Sequence, residues 1–105
     1  MNFMLGTLDI LILRSLSGGP LHGYDVADWI KSATGGDLEI DDGALYTSLH
    51  RMEQRGWLSP KWRISPKGRR AKYYQLTAAG RKQLAAGERR WSKFADAVAR
   101  VFSAR

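Results

Sequence analysis

The chain has 105 residues, 44% of them hydrophobic, which suits one domain with a modest core and is too few for two independent domains. It contains no cysteine, which excludes disulfide bonds and thiolate zinc sites. The net charge of +7 is unevenly placed. Residues 1–50 hold two basic and seven acidic residues, a net charge of −5. Residues 51–105 hold fifteen basic and three acidic residues, a net charge of +12. Positive charge concentrated in one half of a small chain is typical of a polyanion-binding protein. A solvated cationic surface has the same composition.

The N-terminus shows no basic segment followed by a long apolar run, so the sequence predicts no signal peptide. The apolar run from Leu8 to Leu13 is too short to span a bilayer, and Asp9 interrupts it. We therefore expect a cytoplasmic protein.

The first predicted helix begins near Thr7, which can act as its N-cap, and ends before Gly18-Gly19-Pro20. Apolar residues surround this helix almost completely, so it should be buried on more than one side. One side can face the core of the domain. We expect the other side to face a second subunit, with Leu8 and Leu11 at that interface.

A second helix is predicted over residues 24–33, where apolar side chains recur at helical spacing and two glycines follow. Residues 37–41 then alternate between polar and apolar side chains. This alternation predicts a short strand that buries Leu38 and Ile40.

The third predicted helix begins at Asp41 or Asp42, either of which can cap it, and ends at Gly56. Leucine and methionine side chains at spacings of four and three form a narrow buried stripe. The outer face is small at first and rich in hydrogen-bond donors further along, which suits a helix that enters the major groove of DNA. An ordinary amphipathic helix has the same pattern. The outer face consists of Ala44, Thr47, Ser48, Arg51 and Arg55.

Residues 57–63 and 71–76 are predicted to form two strands joined by a Pro/Gly turn. This hairpin carries six cations and no anions, and phosphate contact is the simplest compensation for their mutual repulsion. Strand alternation predicts that Tyr74 packs inward, which leaves Tyr73 free to offer its hydroxyl group to a phosphate. The cations are Lys61, Arg63, Lys67, Arg69, Arg70 and Lys72.

Thr77 is predicted to cap the last helix, which continues to about Phe102. Its apolar positions recur at spacings close to a heptad repeat. Because three helices and a small sheet already fill the core, this stripe needs a partner outside the chain, and the direct inference is a homodimer. The apolar positions are Leu84, Trp91, Ala95, Val98 and Phe102.

Together these elements predict a mainly α fold with a small β wing. A winged helix-turn-helix over residues 1–76 is followed by a C-terminal dimerisation helix over residues 77–105, and the two form one compact unit. No arrangement of serine, histidine and acid predicts catalysis, and His22 and His50 lack metal-ligand spacing. We expect His22 to close a turn. The sequence therefore predicts no enzyme, no metal site and no cofactor.

Three segments of the chain resemble the PadR family of bacterial winged-helix transcriptional regulators. The three segments follow one another in the order and at the spacing of the family, so the likeness covers nearly the whole chain. The single C-terminal helix is similar to the smaller PadR subgroup. The segments are LGTLDILILRSLSGGPLHGYDVADWI at residues 5–30, GALYTSLHRMEQRGWL at residues 43–58 and GRRAKYYQLTAAGRKQL at residues 68–84.

The resemblance implies a homodimer joined through the C-terminal and first helices, and repression at a palindromic operator. Some members of the smaller subgroup bind flat aromatic compounds between paired tryptophans, and Trp91 stands at the corresponding position. An ordinary interface tryptophan is the alternative interpretation of Trp91. By the family pattern, the DNA contacts are Tyr24, Tyr46, Thr47, Arg51, Arg70, Lys72 and Tyr73. The outer helix face and the cationic turn add Ser48, Lys67 and Arg69 to this set.

Three functions are therefore open. The first is a homodimeric regulator that binds double-stranded DNA at a pseudo-palindrome. The second is a sensor whose main activity is to bind a planar aromatic molecule that stacks on Trp91 in the dimer interface. The third is a winged helix that makes only protein contacts, which the cation-only hairpin disfavours.

Overall fold

Four α-helices and a three-stranded antiparallel sheet make up the computed structural model, which describes residues 3–105 and the side chains from Gly6 onward. The mainly helical composition, the small wing and the long C-terminal helix confirm the predicted fold class. In chain order the elements are α1 (Phe3–Ser15), a 3-10 turn (Leu16–Gly18), β1 (Leu21–His22), α2 (Gly23–Ala33), α3 (Asp42–Gln54), β2 (Leu58–Ile64), β3 (Arg70–Leu76) and α4 (Ala78–Ser103).

The sheet is built around β3, which pairs antiparallel with β1 on one side and with β2 on the other. The two-residue β1 places Leu21 opposite Tyr74 and His22 opposite Tyr73. Leu21 and Tyr74 therefore share the inner face of the sheet, whereas His22 and Tyr73 share the outer face. The sequence pattern did not predict β1.

The strand predicted over residues 37–41 does not form, and Leu38 is 42% exposed rather than buried. The backbone here is held locally, because the Leu38 N–H donates to Thr34 Oγ1 at 3.0 Å and the Asp37 N–H donates to the Thr34 carbonyl oxygen at 3.1 Å. β3 is already paired with β1 and β2, so residues 37–41 have no free edge of β3 to pair with, despite their alternating pattern. Ile40 alone packs partly against the core.

The core lies between α1, α2, α3 and the inner face of the sheet. Burial of each large apolar side chain stabilises the fold by about 1.5–3 kcal/mol relative to exposure. Tyr74 packs inward as predicted. The buried apolar residues are Ile12, Leu13, Leu16, Val26, Ile30, Leu45, Leu49, Met52, Leu58, Tyr74 and Leu84.

Helix caps fix where α3 and α4 begin. Asp41 Oδ2 accepts from the Ala44 N–H at 3.2 Å, and Thr77 Oγ1 accepts from the Gly80 N–H at 3.0 Å, which confirms both predicted caps. The Thr77 hydroxyl also donates to the Gly56 carbonyl oxygen at 2.6 Å, so the start of α4 is tied to the turn after α3. Gly80 allows this close approach, because a Cβ atom there would overlap the carbonyl oxygen of Trp57.

α4 packs its first half against α1 and extends beyond the rest of the chain. At 1.5 Å per residue its 26 residues span about 39 Å, and the described chain measures 57 × 29 × 23 Å. Close packing of the two helices depends on Gly87, where a Cβ atom would lie 2.7 Å from Ile10 Cγ1.

α1 begins at Phe3, earlier than the predicted start near Thr7. No helix in the described range combines the length and the apolar character that crossing a bilayer requires.

Candidate nucleic-acid interface

The exposed face of α3 carries mainly small or neutral side chains. Ala44, Thr47 and His50 are exposed at intervals of three residues and line one side of the helix. Ser48 was predicted on this face, but it is only 3% exposed. It follows Leu45 by three positions and precedes Met52 by four, so it falls within the buried stripe and not opposite to it. The prediction for Ser48 was wrong.

Arg51 is turned toward α1 instead of the outer face of α3. Its Nη2 atom lies 2.5 Å from Asp9 Oδ1, and both side chains are half-buried. Partial burial strengthens such a charged hydrogen bond, because water competes less for the two groups. Arg51 can therefore reach a base or a phosphate only by giving up Asp9.

An aromatic cluster joins α2, α3 and the sheet beside the exposed face of α3. The His22 and Tyr24 rings stack at 5.5 Å between centroids, and His22 meets the Tyr73 ring edge-on at 5.7 Å. Tyr24 meets Tyr46 edge-on at 6.1 Å, and Tyr46 lies 6.4 Å from His50. Three of the predicted DNA contacts, Tyr24, Tyr46 and Tyr73, are thus brought to one surface.

The cluster fixes the orientation of its hydrogen-bonding groups. His22 caps α2, with its Nδ1 atom accepting from the Tyr24 N–H at 3.2 Å, in line with the turn-closing role expected for it. The Tyr24 side chain stays exposed at the start of α2. A tyrosine phenol carries its proton at neutral pH, and burial raises the pKa of the Tyr46 phenol further, so its hydroxyl group can donate a hydrogen bond.

His50 is the residue of this surface that the sequence pattern missed. The spacing of three from Thr47 and four from Tyr46 places all three side chains on adjacent parts of one helix surface. That spacing is visible in the sequence, although it is neither a metal-ligand spacing nor a catalytic one.

The tip of the wing is a tight turn that presents cations. The Gly68 N–H donates to the Ser65 carbonyl oxygen at 2.8 Å, and the Ser65 N–H donates to the Arg69 carbonyl oxygen at 2.7 Å. Pro66 suits the second position of the turn, and Gly68 takes a φ of 78° that other residues rarely adopt. Lys67 and Arg69 are consequently held at an exposed tip.

Five of the six wing cations lack a carboxylate partner within 4 Å among the residues that the structure describes. Two of them rest on aromatic rings: the Arg63 guanidinium lies 5.4 Å from the Tyr73 ring, and that of Arg70 lies 4.6 Å from the Trp62 ring. These contacts leave the cations free to pair with an anion. The five cations are Lys61, Arg63, Lys67, Arg69 and Arg70.

Lys72 differs from the other wing cations, because it pairs with a carboxylate of α3. Its Nζ atom is 2.9 Å from Glu53 Oε1 of α3, and the hydrogen bond to Glu53 raises the pKa of Lys72. Glu53 is therefore not an isolated surface carboxylate, and the wing has one free cation fewer than its composition indicates.

The apolar stripe predicted on α4 divides into two parts. Leu84 is buried in the core of the domain itself, which removes it from the predicted subunit interface. Ala95 and Val98 are half-buried, whereas Trp91 is 46% exposed and Phe102 is 79% exposed. The Trp91 ring contacts only its neighbour Phe94 among the ring contacts of the described residues, at 5.9 Å between centroids. Leu8 and Leu11 are half-buried against the core.

Within the described part of the chain, no three histidine or acidic side chains are grouped so as to hold a metal ion. The surface formed by α3, the start of α2 and the wing is chemically suited to contacting an extended anion.

Comparison with known proteins agrees with this geometry. The family model for the PadR-like transcriptional regulators matches residues 12–86. A transcriptional regulator from Clostridium thermocellum has the same fold, with a TM-score of 0.84 and 24% identity over 95% of this chain and 97% of that one. A PadR-like transcription factor from Bacteroides fragilis is 29% identical, with a TM-score of 0.76 over 94% of this chain and 93% of that one.

Bacillus subtilis PadR in complex with operator DNA is also similar. The TM-score is 0.68 and the identity is 26%, over 76% of this chain. The match covers 45% of the B. subtilis protein, so the present chain corresponds to less than half of that protein.

Proposed function

The chain belongs to the PadR-like family of transcriptional regulators, and from this premise we propose that it is a homodimeric repressor that binds a pseudo-palindromic operator. The observation that carries the proposal is the group of wing cations without a carboxylate partner, on the hairpin that follows α3 in the chain. The family regulates transcription and does not consist of enzymes. The protein would act in the cytoplasm, where the DNA is.

We assign the reading of bases to α3. The short side chains of Ala44 and Thr47 allow the helix to approach the floor of the major groove, and His50 adds a ring that can donate or accept hydrogen bonds. The hydroxyl groups of Tyr24 and Tyr46 would donate hydrogen bonds to phosphates at the edge of the groove.

We assign phosphate contacts and the adjacent minor groove to the wing. Lys67, Arg69 and Arg70 are exposed near the tip, and Tyr73 lies on the outer face beside Arg63. Arg51 and Lys72 would join these contacts only after exchanging their carboxylate partners for phosphate. Ser48 is left out of the proposed contact set because it is buried.

The distal half of α4 supports the dimer. Trp91, Val98, Val101 and Phe102 follow one another at helical spacing along one side of the helix, and the described chain leaves them partly or largely exposed. A second copy can bury this side by the same residues, which is how two-fold interfaces form. Two α3 helices would then lie in successive major grooves, ~34 Å apart.

The deciding experiment is binding to a random duplex and to the DNA upstream of the gene, measured across a salt series. We expect steep salt dependence for both duplexes, since each phosphate contact lowers the slope of log K against log salt by about 0.9. Tighter binding to the upstream DNA would indicate sequence reading. If neither duplex binds at low salt, the proposed function is wrong and a protein partner becomes the better explanation.

Two variants separate the roles of the wing and of α3. Arg69→Gln should weaken binding to both duplexes alike and reduce the salt slope by about one contact, whereas Thr47→Ala should weaken operator binding more than random binding. Arg100→Gln, on the exposed far end of α4, is the charge-matched control and should change neither. Equal losses from Arg69→Gln and Arg100→Gln would show that net charge alone drives binding.

A second candidate activity is release by a planar aromatic molecule, favoured by the exposure of Trp91 beside Phe94. Planar dyes should quench tryptophan fluorescence in a saturable way, and Trp91→Phe should abolish that component. Trp29→Phe removes a tryptophan of similar exposure on α2 and is the matched control. Quenching that survives Trp91→Phe but not Trp29→Phe would assign the dye site to α2 instead.

A further inference from the structure

A cavity of about 350 Å³ lies between α1, α3 and the middle of α4, and neither the wing tip nor Trp91 lines it. Its volume is at the lower end of the range that holds small organic ligands. Apolar side chains of Ile10 and Leu13 form one wall, and Trp57 lines another part. Its charged lining is Asp9, Arg51, Arg55 and Arg90.

The charges around the cavity do not balance. Asp9 pairs with Arg51, as described above, and this accounts for one of the three guanidinium groups. Arg55 lies over the Trp57 ring at 5.2 Å, and neither it nor Arg90 has a carboxylate within 4 Å among the described residues. The lining therefore carries a net charge of +2 around a partly apolar space.

We propose that this cavity binds a small organic dianion, with Arg55 and Arg90 holding its charged groups and the apolar wall holding its body. A guanidinium group offers paired donors that match a phosphate or a carboxylate, so two of them suit a ligand with two negative charges. A phosphate monoester and a short dicarboxylate share this chemistry. Such a ligand would bridge α3, which carries Arg55, and α4, which carries Arg90.

Isothermal titration calorimetry at constant ionic strength tests the proposal without DNA, so its outcome is independent of operator binding. The probes are phenyl phosphate, glutarate and, as a monoanion control, propionate, at about pH 8, where a phosphate monoester carries close to two charges. We expect saturable binding of one molecule per chain for at least one dianion and none for propionate. The dianion that binds more tightly identifies the ligand class.

Arg90→Gln is the diagnostic variant, and Arg89→Gln is its matched control, since Arg89 is the neighbouring exposed arginine and does not line the cavity. Loss of a charged hydrogen bond should weaken dianion binding about tenfold in Arg90→Gln and less than about twofold in Arg89→Gln. Both side chains are exposed, so both variants should fold, which circular dichroism checks.

Two results would overturn the proposal. One is the absence of saturable binding for both dianions. If Arg90→Gln then also weakens self-association, the arginines belong to a contact between two copies of the chain. The other is an equal loss of dianion affinity in the two variants, which would indicate a diffuse surface charge.

Discussion

The first 76 residues and the distal half of α4 use the same kinds of apolar side chain with opposite results. In the first region leucine, isoleucine and tyrosine side chains close on one another, and Tyr74 and Leu58 are almost fully buried. In the second region, Trp91 and Phe102 remain exposed along a helix that extends beyond the core of the chain. The difference is one of available neighbours: three helices and a sheet surround the first set, whereas a single helix carries the second.

This contrast indicates what each region needs in order to be stable. The winged-helix region meets its packing and capping requirements within the chain. Asp41 caps α3, and Thr77 and Gly80 hold the start of α4 against the turn after α3. The distal part of α4 gains little from folding alone, because exposed apolar surface contributes nothing to burial. A subunit contact there would supply the missing burial, and substitutions in the two regions should therefore be distinguishable.

The largest effect is expected where the start of α4 is packed most tightly against the first region. Gly80→Ala should lower the free energy of unfolding by about 3 kcal/mol or more, since the new Cβ atom overlaps the Trp57 carbonyl oxygen and the backbone must move. Urea denaturation measures the loss. Gly6→Ala, in α1 with open space around the added Cβ atom, is the control and should be neutral or slightly stabilising.

The next effect tests the distal region. Phe102→Ser should leave the winged-helix region folded but weaken self-association at least tenfold, because burial of a phenylalanine side chain at an interface is worth about 2 kcal/mol. Sedimentation equilibrium over a concentration series measures the association. A stable monomer in the unchanged protein, or a Phe102→Ser variant with wild-type association, would count against a dimer formed through this end of α4.

A smaller effect concerns the ion pair between α1 and α3. Asp9→Asn leaves the half-buried Arg51 without its carboxylate and should destabilise the fold by about 1–3 kcal/mol. A double-mutant cycle with Arg51→Gln isolates the coupling between the two side chains. The exposed pair Lys31–Glu39, at 2.8 Å, is the comparison and should show a weaker coupling, since water screens it. Equal coupling in the two pairs would mean that burial of Arg51 adds nothing.

The smallest effect is on pH dependence. The pKa of Lys72 is raised above its ordinary value of 10.5 by the hydrogen bond to Glu53, so the folded state holds this proton more tightly than the unfolded state. The resulting stability is complete below pH 10.5 and is lost as the pH rises through the raised pKa. Urea denaturation at alkaline pH should show a loss below about 1 kcal/mol that is missing from Lys72→Met. The same loss in both proteins would assign it to other groups.

Local chemistry in the sequence was sufficient to predict much of the fold. Capping residues predicted where α3 and α4 begin. Strand alternation predicted that Tyr74 packs inward, and the Pro/Gly turn predicted that Lys67 and Arg69 lie at the wing tip. These features depend on neighbours a few residues away, which the sequence displays directly. The three family segments likewise predicted membership of the PadR-like family, which the family match over residues 12–86 confirms.

Tertiary structure alone decided which charges are free. Asp9 and Arg51 are 42 positions apart, so their pairing depends on how α1 crosses α3 and not on any local pattern. The same holds for Lys72 with Glu53, and for β1, which forms because β3 has an open edge there. Ser48 was predicted to be exposed, but it lies within the buried stripe of α3, which is one residue wider than the leucine and methionine pattern indicates. The sequence by itself thus determined the elements and the family, whereas long-range packing determined which side chains remain available for binding.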